Sequence, residues 1–144
     1  MVSPMRTIAT LVLVGWLLGG LVLTLQPAHP FPGQEVDDNG VPVNTLAIYW
    51  RNLGSWFWMR NALGNLGLVF PLGLLGPIAL PALDRWWRIA FLALVYSVAI
   101  EITQLWIPDR SADIDDVLLN VAGAMFGYLG FAIVRSALRS RAAA

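Results

Sequence analysis

Residues 89–134 read IAFLALVYSVAIEITQLWIPDRSADIDDVLLNVAGAMFGYLGFAIV. Two apolar runs, 89–107 and 114–134, flank a short polar segment. Each run has about the 20 residues that an α-helix needs to cross the hydrocarbon core of a bilayer. Because the connection is so short, the two helices must be adjacent and antiparallel. The stretch therefore predicts a helical hairpin inside a membrane.

Two further apolar runs, 8–25 and 62–83, lie outside the hairpin. We interpret the first as a retained membrane helix rather than a cleaved signal peptide, because it is long and no small-residue cleavage site follows it. The composition agrees: 58% of residues are hydrophobic and 12% are charged, against about 25% charged in soluble proteins. We therefore expect an all-α integral membrane protein, a single domain over residues 1–144 with four transmembrane helices.

The arginines predict the orientation in the membrane, because cytoplasmic loops are enriched in basic residues. Six of the nine arginines lie before the first span, between spans two and three, or after span four, and three lie on the other side. Both termini are therefore predicted to be cytoplasmic, with an outer loop over residues 26–61.

The aromatic segment 45–60 of this loop predicts either a short helix in the membrane interface or a set of rings that anchors the second span.

Polar side chains recur at helical spacing near the outer ends of three predicted spans. They are Asn61 and Asn65 in the second span, Ser97, Glu101 and Gln104 in the third, and Asp116 and Asn120 in the fourth. At a helical rise of about 1.5 Å per residue, Glu101 and Asn120 both lie about 9 Å from the outer ends of their helices. We expect Glu101 to face Asn120 and Gln104 to face Asp116, with Arg110 at the rim.

An ionisable side chain inside a membrane is costly and usually marks a functional site. The candidate ligand-binding residues are Asn65, Gln104, Arg110, Asp113 and Asn120. If the protein is an enzyme, Glu101 would be a general acid or base, and Asp116 would orient it or help to hold a metal. Asp113 has an alternative role as a helix cap, and Asp115 is interpreted as a residue that complements the helix dipole.

Several kinds of chemistry are excluded or not expected. The chain has no cysteine and one histidine, so it cannot build a Cys-based or His-rich metal site or a catalytic triad. We expect no resident cofactor and assign no metal site; a metal would have only carboxylates as ligands, a set that suits Mg²⁺ or Ca²⁺ weakly. A formal net charge of zero provides no basic surface for nucleic acid. The expected partners are the bilayer and a membrane lipid or lipid-linked envelope precursor, and protein partners are left open.

Two motifs resemble those of VanZ-like membrane proteins. The first is NLGLVFPLG at residues 65–73. The second comprises E-x-x-Q from Glu101, P-x-R from Pro108, and D-x-x-D-x-x-x-N-x-x-G-x-x-x-G from Asp113 to Gly127. The match extends from residue 61 to residue 128. The resemblance implies a multi-pass protein of the bacterial plasma membrane, in a family whose founding member is associated with resistance to the glycopeptide teicoplanin.

Three hypotheses follow for the function. In the first, the protein belongs to the cell envelope and binds or alters an outer-leaflet amphiphile, such as a lipid-linked wall precursor or a lipoglycopeptide antibiotic. In the second, it is an intramembrane enzyme that acts on a lipid head group. In the third, it is a structural or partner-organising membrane protein whose polar stripe holds the helices together.

Overall fold

The protein is described from a computed structural model, which covers residues 3–26, 40–108 and 110–142. These residues form the helices α1 (Pro4–Thr24), α2 (Asn44–Arg51), α3 (Trp56–Ala79), α4 (Trp86–Gln104) and α5 (Ile114–Ala142), with a short 3-10 turn at Pro81–Leu83. All but α2 are long and apolar enough to span a membrane. The predicted all-α fold with four candidate membrane helices is therefore confirmed.

The helix boundaries differ from the apolar runs for identifiable reasons. α1 begins early because Pro4 suits a first helical position and Ser3 caps it by accepting a hydrogen bond from the Arg6 N–H. α3 ends at Ala79 rather than at residue 83, since a residue that precedes a proline disfavours the helical region and Leu80 is extended before Pro81. α5 continues past the apolar run because residues 135–142 are mostly good helix formers.

The aromatic segment 45–60 is divided between two helices. α2 ends at Arg51, a turn follows, and α3 begins at Trp56. The segment thus contains a short helix, as one alternative predicted, and its last residues form the first turn of α3. The other alternative, that its rings anchor the second span, stays a prediction. Trp50 and Trp56 are 77% and 68% exposed, so these two rings lie on the surface of the helical bundle.

α3 and α5 form the central contact of the bundle. A Cβ on Gly123 would overlap the backbone of Leu66, one on Gly127 would overlap the backbone oxygen of Phe70, and one on Gly73 would overlap that of Ala124. The pairing of 66 with 123 and of 70 with 127 shows that α3 and α5 run in the same direction. Small residues allow such close approach between membrane helices.

α1 packs on α3 and is tied to its neighbours by polar side chains. Trp16 donates its indole N–H to the carbonyl oxygen of Leu68 at 3.0 Å. The hydroxyl of Tyr96, on α4, donates to the carbonyl oxygen of Leu17 at 2.7 Å. Hydrogen bonds to backbone oxygens can strengthen helix association where there is no hydrophobic force between helices. They place α1 beside both α3 and α4.

The bundle has two chemically different ends. The "hairpin end" is where α4 turns into α5, and it carries Glu101, Asp113 and Asp116. The "arginine end" is where α3 connects to α4, and it also includes Arg135 and Arg139 in the last turns of α5. In the predicted orientation, the hairpin end faces outward.

The orientation is testable because the chain has no cysteine. We expect a single cysteine at Gly54→Cys, at the hairpin end, to react with a membrane-impermeant maleimide in intact cells. A cysteine at Ser140→Cys, at the arginine end, should react only after permeabilisation. Both sites are exposed. The reverse labelling pattern would overturn the predicted orientation.

Adding one methyl group to the central contact should destabilise the bundle. Gly123→Ala places a carbon atom against the backbone of Leu66, and overpacking of this kind costs about 1–3 kcal/mol. The matched control is Gly67→Ala, which meets no atom of the described residues within 4 Å. Thermal unfolding in detergent should show a lower Tm for Gly123→Ala and an unchanged or higher Tm for Gly67→Ala. Equal Tm values would contradict the proposed contact.

Candidate functional site

Glu101 and Asp113 connect the last turns of α4 to the start of α5. The backbone N–H of Asp113 donates to Glu101 Oε2 at 2.7 Å. The side chain of Asp113 caps α5, since its Oδ1 accepts from the Asp115 N–H at 2.8 Å. Of the two roles left open for Asp113, capping is thus observed directly. Glu101 is only 8% exposed, so its carboxylate lies inside the bundle.

Asp116 and Asn120 line the same face of α5, one turn apart. The amide of Asn65, on α3, lies beside the Asp116 carboxylate and interacts favourably with it. Asn120 donates its side-chain N–H to Ser97 Oγ at 2.6 Å. Asp116 Oδ1 and Asn120 Oδ1 are both buried, and no donor from the described part of the chain reaches either oxygen. Two buried acceptor oxygens on this face of α5 therefore lack a donor from the described residues.

Gln104 and Arg110 have partners other than those expected. Gln104 does not pair with Asp116, because its side-chain N–H donates to the carbonyl oxygen of Thr24 at 3.0 Å and so ties α4 to α1. Arg110 donates its Nε–H to the carbonyl oxygen of Gln26 at 3.0 Å. Its positive charge acts through space on Glu101 and Asp116. Glu101 and Asn120 likewise bond to Asp113 and Ser97 rather than to each other.

Asp115 has a larger role than the sequence suggested. Its carboxylate is fully buried and accepts three backbone N–H groups from the start of α2, those of Val43 at 2.6 Å, Thr45 at 2.8 Å and Leu46 at 3.1 Å. Val43 has a positive φ of 69°, which is strained for a β-branched residue. Asp115 therefore fixes α2 against α5 in a conformation that the local sequence does not favour.

Tyr49, on α2, lies near an acidic cluster that consists of Glu101, Asp113, Asp115 and Asp116. It is 8% exposed, and its ring stands 5.7 Å from that of Trp58 on α3. Burial, and then the negative charges of Asp116, Asp113, Asp115 and Glu101, raise the pKa of Tyr49 above its ordinary value. Its hydroxyl therefore stays protonated and can donate a hydrogen bond. The sequence suggested this ring only as part of an aromatic segment.

An apolar groove runs beside the cluster. Its volume is about 240 Å³, and its walls include Val98, Ile102 and Val117 together with Glu101 and Asp113. Ile102 is 48% exposed, so the groove opens on the side of the bundle that would face lipid. An apolar chain could lie in the groove while a polar group attached to it contacts the carboxylates.

The site thus combines the unpaired buried oxygens of Asp116 and Asn120 with the half-buried side chain of Arg110 and the apolar groove. In chemical terms it can accept hydrogen bonds from hydroxyl or amine groups and hold an anion at its rim. In the described residues, no group of three or more His, Asp or Glu side chains has an arrangement that could hold a metal ion.

Asp115→Asn should release α2, because an amide offers one acceptor oxygen in place of two. We expect amide hydrogen exchange in residues 43–51 to accelerate by about tenfold or more, as the loss of even one such bond costs about 1.5–3 kcal/mol. Asp116→Asn is the matched control, since Asp116 accepts no hydrogen bond from α2. Unchanged exchange in Asp115→Asn would contradict the anchoring role.

The chain was compared with protein families, curated proteins and solved structures. No curated protein matches the chain, and no solved structure matches it. A model of the VanZ/LLP1 family matches residues 8–135, which extend from Ile8 in the first candidate membrane helix to Arg135 in the fourth. The resemblance seen in the two sequence motifs is thereby confirmed, and the chain belongs to the VanZ/LLP1 family.

Proposed function

We propose that this VanZ-like membrane protein binds the polar head of an outer-leaflet amphiphile at its hairpin end. The class includes lipid-linked wall precursors and lipoglycopeptide antibiotics. The observation that carries the proposal is the pair of buried oxygens, Asp116 Oδ1 and Asn120 Oδ1, which lack a donor among the described residues. Buried polar atoms are usually paired, and an unpaired one costs about 1–3 kcal/mol. A ligand with hydroxyl or amine groups would supply the donors.

The groove supports an amphiphile rather than a fully polar ligand. Its walls are apolar side chains of α4 and α5, and Glu101 and Asp113 lie in the same wall. A lipid chain in the groove would bring its head group to the carboxylates without leaving the bilayer. A water-soluble ligand would gain nothing from this lining.

Arg110 supports a head group that also carries a negative charge. Three acidic side chains, those of Glu101, Asp113 and Asp116, would repel an anion placed among them. Arg110 is half-buried near them and can hold a phosphate or carboxylate with two parallel hydrogen bonds. The anion would thus stay with Arg110, and the hydroxyl or amine groups would reach Asp116 and Asn120.

A susceptibility assay in a glycopeptide-sensitive Gram-positive host tests this function. We expect the wild-type protein to raise teicoplanin tolerance and Arg110→Ala to return it to the level of the empty vector. Losing a charge-assisted contact should weaken binding by about ten- to a hundredfold. Arg51→Ala is the matched control, because Arg51 lies on α2 outside the cluster. Membrane abundance is measured for every variant.

The two alternative functions, a structural network and an intramembrane enzyme, predict different outcomes for the same set of variants. If tolerance is lost only where abundance falls, as with Glu101→Gln or Asp116→Asn, the cluster is a structural network. If the wild type gives no tolerance, the ligand is not a glycopeptide, and the purified protein is then tested for binding of a polyprenyl diphosphate. Release of phosphate from that lipid, abolished by Glu101→Gln, would replace binding with the intramembrane enzyme.

A further inference from the structure

The arginine end holds a cavity that the proposed function does not use. Its volume is about 570 Å³. Its walls come from the connection between α3 and α4, the first turn of α4 and the last third of α5. The charged side chains in these walls are Asp84, Arg85, Arg135 and Arg139. Three positive charges against one negative charge make this cavity attractive to an anion.

The four charged groups are not equivalent. Arg135 forms an ion pair with Asp84, and the hydroxyl of Tyr128 donates to the other oxygen of the same carboxylate at 3.5 Å. Asp84 is therefore occupied by partners within the cavity wall. Among the described residues, neither Arg85 nor Arg139 has a partner for a side-chain hydrogen bond or an ion pair. Two guanidinium groups thus remain available to a ligand, each with donors that suit a phosphate.

The position of the cavity indicates where such a phosphate would come from. Trp86 and Trp87 line it and are 59% and 52% exposed. Tryptophan is enriched at the level of the lipid head groups, where its ring contacts lipid and its N–H contacts water. Arg88 follows them, and the apolar part of α4 begins at Ile89. The cavity therefore lies at the depth of the head groups, beside the acyl chains of a leaflet.

We propose that this cavity binds the phosphate group of an anionic phospholipid from the leaflet at the arginine end. Arg85 and Arg139 bind the phosphate, and Trp86 and Trp87 contact the glycerol region. Asp84 keeps Arg135 in an ion pair and so withholds it from the ligand. The site lies at the opposite end of the bundle from the Glu101–Asp116 cluster and does not depend on the function proposed there.

Lipid retention tests the proposal. Protein extracted from vesicles of equal phosphatidylglycerol and phosphatidylcholine is examined by native mass spectrometry. We expect the wild type to retain phosphatidylglycerol in preference. Arg85→Gln and Arg139→Gln should each lower that retention about tenfold, because each removes a charge-assisted hydrogen bond to the phosphate. Asp84→Asn should raise it, because Arg135 is then released to the ligand.

Controls separate this site from general surface charge. Arg141→Gln removes the same charge from the same helix two residues away, outside the cavity, and should leave retention unchanged. An equal loss in Arg141→Gln and Arg139→Gln would overturn the proposal, as would equal retention of the two lipids.

Inorganic phosphate serves as a second probe. If it binds with the same dependence on Arg85 and Arg139 while phosphatidylglycerol is not preferred, the site takes a free anion and the lipid assignment is wrong.

Discussion

The close approach of α3 and α5 is the constraint on which the rest of the structure depends. Gly73, Gly123 and Gly127 remove the side chains that would separate the two backbones. In a bilayer no hydrophobic force draws helices together. Close van der Waals contact between the two backbones therefore contributes much of the stability of the helix pair. Because the two helices run in parallel, the contact also aligns their polar residues: Asn65 on α3 comes to lie beside Asp116 on α5.

α4 and α1 pack on this central pair through apolar side chains and are also joined to their neighbours by polar contacts. Asn120 bonds to Ser97, and the Asp113 N–H bonds to Glu101, so α4 is joined to α5 at two levels. Tyr96 and Gln104 then extend from α4 to the backbone of α1. The polar stripe of α4 is thus divided between two neighbours. Part of it belongs to the candidate site, and part of it holds α1 in place.

Much of this could be predicted from the sequence. Apolar length specified the four membrane helices, and the spacing of Gly123 and Gly127 indicated a close helix contact, since both signals are local and periodic. The partners of Gln104 and Asp115 could not be predicted, because both side chains bond to backbone groups far away in the chain. Every residue offers such groups, so no side chain identifies the partner in advance.

The hydrogen bonds of the four acidic residues that the structure describes near the hairpin end separate structural roles from chemical ones. Asp115 is fully occupied by backbone N–H groups, and the side chain of Asp113 caps α5. Glu101 accepts one backbone N–H, and Asp116 retains a buried oxygen without a donor from the described residues. A carboxylate can act on a ligand only with lone pairs that the fold leaves free. In the proposed function, ligand chemistry at this end would therefore fall to Glu101 and Asp116, because Asp113 and Asp115 hold the helices that position them.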